Sequence, residues 1–271
     1  ANEHGKVSLK GKIYTMLELA TNSNLDLYIT VSENDRQSLL RSGIPNEKIE
    51  LIYNAVNVQN QNIDPNVEKL HRQYSIPSNH LICIAVGRLV AIKGFDILIQ
   101  AAHILKKSSR NVHFLIVGDG ESREMLANQI EALGLNENVT LAGYQDHTAV
   151  ISLVKSSDIF IMPSRYEGTP IALLEAGSLG IPIIASNVGG IPELVQDQTD
   201  ALLVPPDDPQ ALAHAVTRLM TDKKLAEMIS INAVEKIRTK FNMERQFELT
   251  WKAYQKALMF HKLKTGNLTS H

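Results

Sequence analysis

From residue 67 onward the chain repeats one pattern, a nearly continuous apolar run followed by a segment whose apolar residues recur at helical spacing. The runs are HLICIAVG (80–87), VHFLIVG (112–118), NVTLAG (138–143), DIFIM (158–162) and IPIIAS (181–186), with a shorter ALLVP at 201–205. A strand that is apolar on both faces must be covered on both, and parallel strands need long, usually helical, crossovers. The alternation therefore predicts an α/β fold, a doubly wound parallel sheet of Rossmann-like type with helices on each side. Helices are expected over 67–74, 93–107, 121–133, 146–155, 170–179, 208–220, 225–240 and 243–260.

The stretch before residue 67 has the same kind of material but too little of it. Residues 12–24 read as a helix and LDLYITVS (25–32) as a strand. Ser32 then caps a helix that Gly43 ends, and IELIYNAV (49–56) reads as a second strand. Residues 57–66, NVQNQNIDPN, have a linker composition. A unit of this size is too short for a doubly wound domain of its own but suits the last βα units of one. The expected division is 1–57 as a remnant of an N-terminal domain, 58–240 as the main domain, and 241–271 as a last helix and tail.

Composition excludes several functions. A net charge of −2 over 271 residues offers no basic surface for nucleic acid, so no nucleic-acid partner is expected. The single cysteine, Cys83, cannot form an intramolecular disulfide and reads as a core residue of a reducing, cytoplasmic protein. No apolar run approaches the roughly 18 residues that span a bilayer, so any membrane contact is expected to be peripheral. Asp-x-Asp, His-x-x-x-His and Gly-x-Ser-x-Gly are all absent, and GKVSLKGKI has the wrong spacing for a P-loop.

In open α/β sheets ligands bind beyond the carboxyl ends of the strands, which singles out four turns. GRLVAIKG (87–94) follows Gly87 with Arg88 and Lys93, two cations that together suit a diphosphate. VGDGESR (117–123) holds Gly118 and Gly120, half of a dinucleotide fingerprint with Arg123 where the third glycine belongs. LAGYQDH (141–147) offers Tyr144 as a ring to flank a base, or as a partly exposed structural tyrosine. PSRYEGTPIALLE (163–175) is a strand-to-helix turn, with Thr169 expected as N-cap and Pro170 as the first helical residue. Amides of Gly168, Thr169, Ile171 and Ala172 then face an anion, Glu167 lies in the crevice, and Glu175 sits inside an apolar helix. For Glu175 alone, a buried pair with Lys or Arg is the competing reading. Taken together, the four turns suit a base, a ribose, a diphosphate and a polyhydroxylated group, which describes a sugar nucleotide.

The segments GRL...KG, VGDG and PSRYEGTPIALLEAGSLGIPIIASNVGGIPELV resemble the donor-binding domain of retaining GT-B glycosyltransferases of the glycogen-synthase-like superfamily, specifically glycosyltransferase family four. VSENDRQSLLRSGIPNEKIELIYNAVN resembles the end of that family's acceptor domain, so the likeness spans about residues 25–258. It implies that Arg88 and Lys93 neutralise the diphosphate, that Glu167 contacts the transferred sugar and that Glu175 binds the ribose hydroxyls. Gly87, Gly118, Tyr144 and the 168–171 turn complete the donor site, and the last helix packs back on the N-terminal domain. His4, in Glu3-His4-Gly5, matches a histidine that the family often places near the transferred sugar. The implied reaction moves a sugar from a nucleoside diphosphate to a carbohydrate or lipid-linked acceptor, with retention and without a metal. The implied start of the acceptor domain is not in the chain. Two other readings compete: a nicotinamide-dependent oxidoreductase, resting on Gly118 and Gly120, and a nucleotide-sugar-binding module without catalysis.

Overall fold

The computed structural model describes residues 25–57, 65–108 and 110–265. Its described residues divide into two compact units, one holding residues 25–52 and 247–265, the other those between Tyr53 and Gln246. In the smaller unit β1 (Tyr28–Thr30) and β2 (Ile49–Leu51) pair in parallel, Tyr28 opposite Ile49. Between them runs α1 (Glu33–Arg41), capped by Ser32, whose Oγ accepts from the Asp35 N–H at 3.0 Å. Gly43, at φ +85°, takes the left-handed turn that ends it.

The larger unit is built on six parallel strands: β3 (Leu81–Val86), β4 (Val112–Val117), β5 (Val139–Gly143), β6 (Ile159–Met162), β7 (Ile183–Ser186) and β8 (Leu202–Val204). Their order is β5-β4-β3-β6-β7-β8, the doubly wound order in which the winding direction reverses between β3 and β6. The helices are α2 (Val67–Gln73), α3 (Phe95–Lys107), α4 (Arg123–Ala132), α5 (His147–Lys155), α6 (Ile171–Ser178), α7 (Ile191–Leu194), α8 (Pro209–Thr221) and α9 (Lys223–Lys240). A last helix, α10 (Met243–Thr265), begins in this unit and belongs from Phe247 on to the other.

Strand alternation accounts for two cores rather than one. Cys83, Ala85, Phe114 and Ile116 pack on one face with apolar residues of α3, α4 and α8. Ile82, Ile84, Leu115, Val117 and Phe160 pack on the other with α5, α6 and the later turns of α9. Each of the isoleucine, leucine, valine and phenylalanine side chains among these, fully removed from water, stabilises the fold by roughly 1.5–3 kcal/mol. This is why the strands read as continuous apolar runs.

Several boundaries differ from the sequence reading, three of them by enough to matter for the site. The run 49–56 is a strand only at Ile49–Leu51; Val56 forms an isolated bridge with Asn242, and Tyr53 packs edge-on to Phe241 at 5.7 Å. Residues 53–57 therefore belong to the larger unit, so the units divide between Ile52 and Tyr53, before the Asn-rich stretch. The second helix of the main unit starts at Phe95, because Ala91–Lys93 form a 3₁₀ turn and Gly94 adopts φ +66°. No helix among the described residues is long and apolar enough to cross a membrane.

Candidate functional site

The crevice at the carboxyl ends of β3 and β6 lies where the strand order reverses, the place such sheets use for ligands. Glycines let its loops meet backbone to backbone. A Cβ on Gly94 would stand 2.0 Å from the Pro163 carbonyl oxygen, which brings the loop after β3 directly onto the loop after β6. Gly189, at φ +53°, lies against Glu167 in the same way: a Cβ there would be 1.9 Å from the Glu167 carbonyl oxygen, which accepts from the Gly190 N–H at 3.0 Å.

These contacts bring together residues 74 positions apart. Lys93 Nζ meets Glu167 Oε1 at 2.6 Å, and Ser164 Oγ donates to the same oxygen at 2.6 Å. The Glu167 side chain is 8% exposed and that of Lys93 28%, so this is a nearly dry ion pair with one wet end. Arg88 is exposed and makes no ion pair among the described residues. The expected two cations are thus in different situations: Arg88 is exposed to solvent, and Lys93 is engaged with the carboxylate beside it.

Arg165, which the sequence reading passed over, fastens the crevice loops. Its guanidinium makes a forked bond to both Asp96 oxygens at 2.8 and 2.7 Å, and its Nε donates to Asp207 at 2.7 Å. Its backbone N–H also donates to the Ile92 carbonyl at 2.8 Å. The Asp96 hydrogen bonds push the guanidinium pKa further up, aided by the charges of Asp96 and Asp207, so it stays charged at any working pH. Three loops, those after β3, β6 and β8, are joined through this one side chain.

The turn into α6 is one residue out of register with expectation. Pro170, at φ −71° and ψ 115°, is the N-cap, not Thr169, and the helix begins at Ile171. No side chain caps it; Thr169 is buried and its carbonyl accepts from Asn54 Nδ2 at 3.0 Å. The amides of Ile171, Ala172 and Leu173 occupy the first turn, where a helix lacks intrahelical acceptors. Glu175, in the second turn, is paired through Oε1 with His147 Nε2 at 2.7 Å, not with the Lys or Arg of the competing reading. His147 opens α5, in the loop after β5 that also carries Tyr144, whose ring is 76% exposed.

Gly118 and Gly120 have a packing role: Cβ atoms there would stand 1.9 and 2.5 Å from the carbonyl oxygens of Gly87 and Leu89. They seat the β4 loop on the β3 loop. His4 lies outside the described residues.

Residues 66–236, well over half of the chain and including Arg88, Lys93, His147, Arg165, Glu167 and Glu175, match the family model described as Glycosyl transferases group 1. The chain belongs to that family. Relatives include the alpha-D-kanosaminyltransferase of Streptomyces kanamyceticus, 29% identical over 218 residues, which is 79% of this chain and 56% of that protein. The putative colanic acid biosynthesis glycosyltransferase WcaL of Escherichia coli is 32% identical over 228 residues, 81% of this chain and 54% of that protein. The chain thus spans about half the length of these two group 1 relatives. Among solved structures, Anabaena HepE in complex with UDP superimposes with a TM-score of 0.81 at 24% identity, covering 94% of this chain and 69% of that one. At that identity the likeness establishes the shared fold. Family membership does not favour the nicotinamide reading, and the packing of Gly118 and Gly120 supplies another reason for the glycines it rested on.

Proposed function

We propose that this chain carries the donor site of a retaining glycosyltransferase, which moves a sugar from a nucleoside diphosphate to an acceptor hydroxyl on a carbohydrate or lipid-linked molecule. The observation that carries the reading is the Lys93–Glu167 contact at the β3–β6 reversal, with Glu175 in the helix that follows. Arg88 and Lys93 hold the diphosphate, assisted by the α6 amides. Gly87 and the 168–170 turn line it, Tyr144 flanks the base, Glu175 accepts from the ribose hydroxyls, and Glu167 faces the transferred sugar.

In the reaction the bond between the anomeric carbon and the β-phosphate oxygen breaks, and the electron pair leaves on the diphosphate. The acceptor oxygen bonds to the anomeric carbon from the same face, and its proton passes to the departing diphosphate. The growing negative charge is met by Arg88, Lys93 and the helix terminus, so no metal ion is assigned a role. The resemblance gives His4 a place beside the transferred sugar. The UDP bound to HepE makes UDP the first nucleotide to try.

The test is a thermal melt of the chain with UDP, GDP, ADP and NAD. Stabilisation by one of the three diphosphates but not by NAD is the expected result. Indifference to all three, or a response to NAD alone, overturns the donor-site reading. Incubation with the matching nucleotide sugar and NMR of the product's anomeric proton then tests retention and separates an enzyme from a binding module.

A further inference from the structure

His147 stands outside every role assigned so far, yet its Nε2 is hydrogen-bonded to Glu175 Oε1 at 2.7 Å. Its place is built. Gly143, at φ +73°, ends β5, and Asp146 caps α5 by accepting from the Ala149 N–H at 2.9 Å. His147 is thereby set at the first helical position, facing α6. Its side chain is 65% exposed while that of Glu175 is 17% exposed, so the bond is not a by-product of core packing. The two side chains line, with Ile151, Ile171 and Ser178, a cavity of about 220 Å³.

A carboxylate has two oxygens with about four acceptor positions, and a vicinal diol uses two of them. With Oε1 held by His147 Nε2 at 2.7 Å, the carboxylate's rotation is restricted and Oε2 is left for a ligand. We propose that His147 is a positioning residue of the donor site: it fixes Glu175 for the ribose hydroxyls and so sets the preference for a ribonucleoside diphosphate over its 2′,3′-dideoxy counterpart. The inference rests on the ribose role given to Glu175 above. It predicts an effect that appears only when the hydroxyls are present, because a dideoxy ligand gains nothing from an oriented carboxylate.

The experiment is titration calorimetry of UDP and 2′,3′-dideoxy-UDP against the wild-type chain, His147→Ala, His147→Gln and Glu175→Ala, with the GDP and ADP pairs run alongside. Immobilising one side chain in advance is worth about three- to tenfold in affinity. His147→Ala is therefore expected to weaken the ribonucleotide about three- to tenfold and leave the dideoxy ligand unchanged. His147→Gln, whose amide also donates, restores most of the loss, a rescue that a purely structural role would not give.

If Glu175→Ala abolishes the preference while His147→Ala keeps it, the positioning role falls and the ribose role stands. If Glu175→Ala keeps the preference, the ribose role falls and takes the inference with it. Equal loss of both ligands in His147→Ala also overturns the inference, since it marks a contact to base or phosphate. Binding of none of the three ribonucleotides overturns both readings.

Discussion

The Lys93–Glu167 pair makes a prediction in which stability and ligand binding respond differently to the same two substitutions. In Lys93→Ala the Glu167 carboxylate keeps only the Ser164 hydroxyl at 2.6 Å, in a pocket where its side chain is 8% exposed. Stranding one member of a buried pair costs 3–5 kcal/mol, and the wetter lysine end places this case near the low end, about 3 kcal/mol. Glu167→Gln leaves an ammonium that reaches water and an amide that still accepts from Ser164, so the loss is about 1 kcal/mol. The double variant is then less destabilised than the sum of the two, by roughly 1–2 kcal/mol of coupling.

Ligand binding reverses the emphasis. Lys93→Ala removes a charge-assisted bond to the diphosphate worth about 1.5–3 kcal/mol, or roughly 10- to 150-fold in affinity. Glu167→Gln instead releases Lys93 from its intramolecular partner, so UDP binds at least as tightly as to wild type. With UDP at 100 times the wild-type Kd, wild type gains about 2.7 kcal/mol, and a variant that binds 100-fold more weakly gains about 0.4 kcal/mol. Urea melts with and without UDP on the four proteins read both effects. A Glu167→Gln protein that loses its UDP stabilisation while Lys93→Ala keeps it would refute the assignment of the cation to phosphate and of the carboxylate to the sugar.

Three further predictions concern the frame of the site. Gly189→Ala is expected to lose roughly 2–4 kcal/mol of stability in denaturant melts, because its Cβ meets the Glu167 carbonyl at 1.9 Å, whereas Gly43→Ala, with open space around it, loses only about 1–2 kcal/mol. Arg165→Lys keeps the charge but cannot fork onto Asp96, so melts of this variant should fall by about 1–2 kcal/mol; an unchanged transition would show that the loops hold without the guanidinium. Burial lowers the pKa of His113 from 6.5 to about 4, and its neutral ring bridges the Glu137 carbonyl and Thr140 Oγ1 at 3.2 and 2.9 Å. The unfolded chain therefore takes the proton first, and roughly 3 kcal/mol of stability should drain away as pH falls from about 6.5 to about 4, a slope that His113→Gln removes.

The sheet was legible because its cause is written locally. A strand such as LICIAV, buried on both faces, needs apolar residues at every position, and no other element of similar length shows that signature so plainly. The starts of the helices bordering the crevice were less legible. Lys93 reads as helical until Gly94 is known to take φ +66° to clear Pro163, and Thr169 reads as a cap until Pro170 at ψ 115° delays the helix by one residue. Both depend on a loop contacted from a distant part of the chain. Arg165 and His147 were illegible for a related reason: each is an ordinary surface residue type, and its meaning lies in partners 69 and 28 positions away.

What the sequence reading treated as two neighbouring features, a diphosphate clamp and a sugar-facing carboxylate, the fold joins in one ion pair. Because Lys93 and Glu167 satisfy each other, the crevice is kept from presenting a bare buried charge of either sign. A diphosphate then has to draw Lys93 away from Glu167 or share it, and in either case the carboxylate is left more available on the sugar side. On the proposed donor-site reading, donor binding and the freeing of Glu167 are coupled, so a ligand lacking the diphosphate, such as the free sugar, should meet a carboxylate still held at 2.6 Å by lysine and bind poorly.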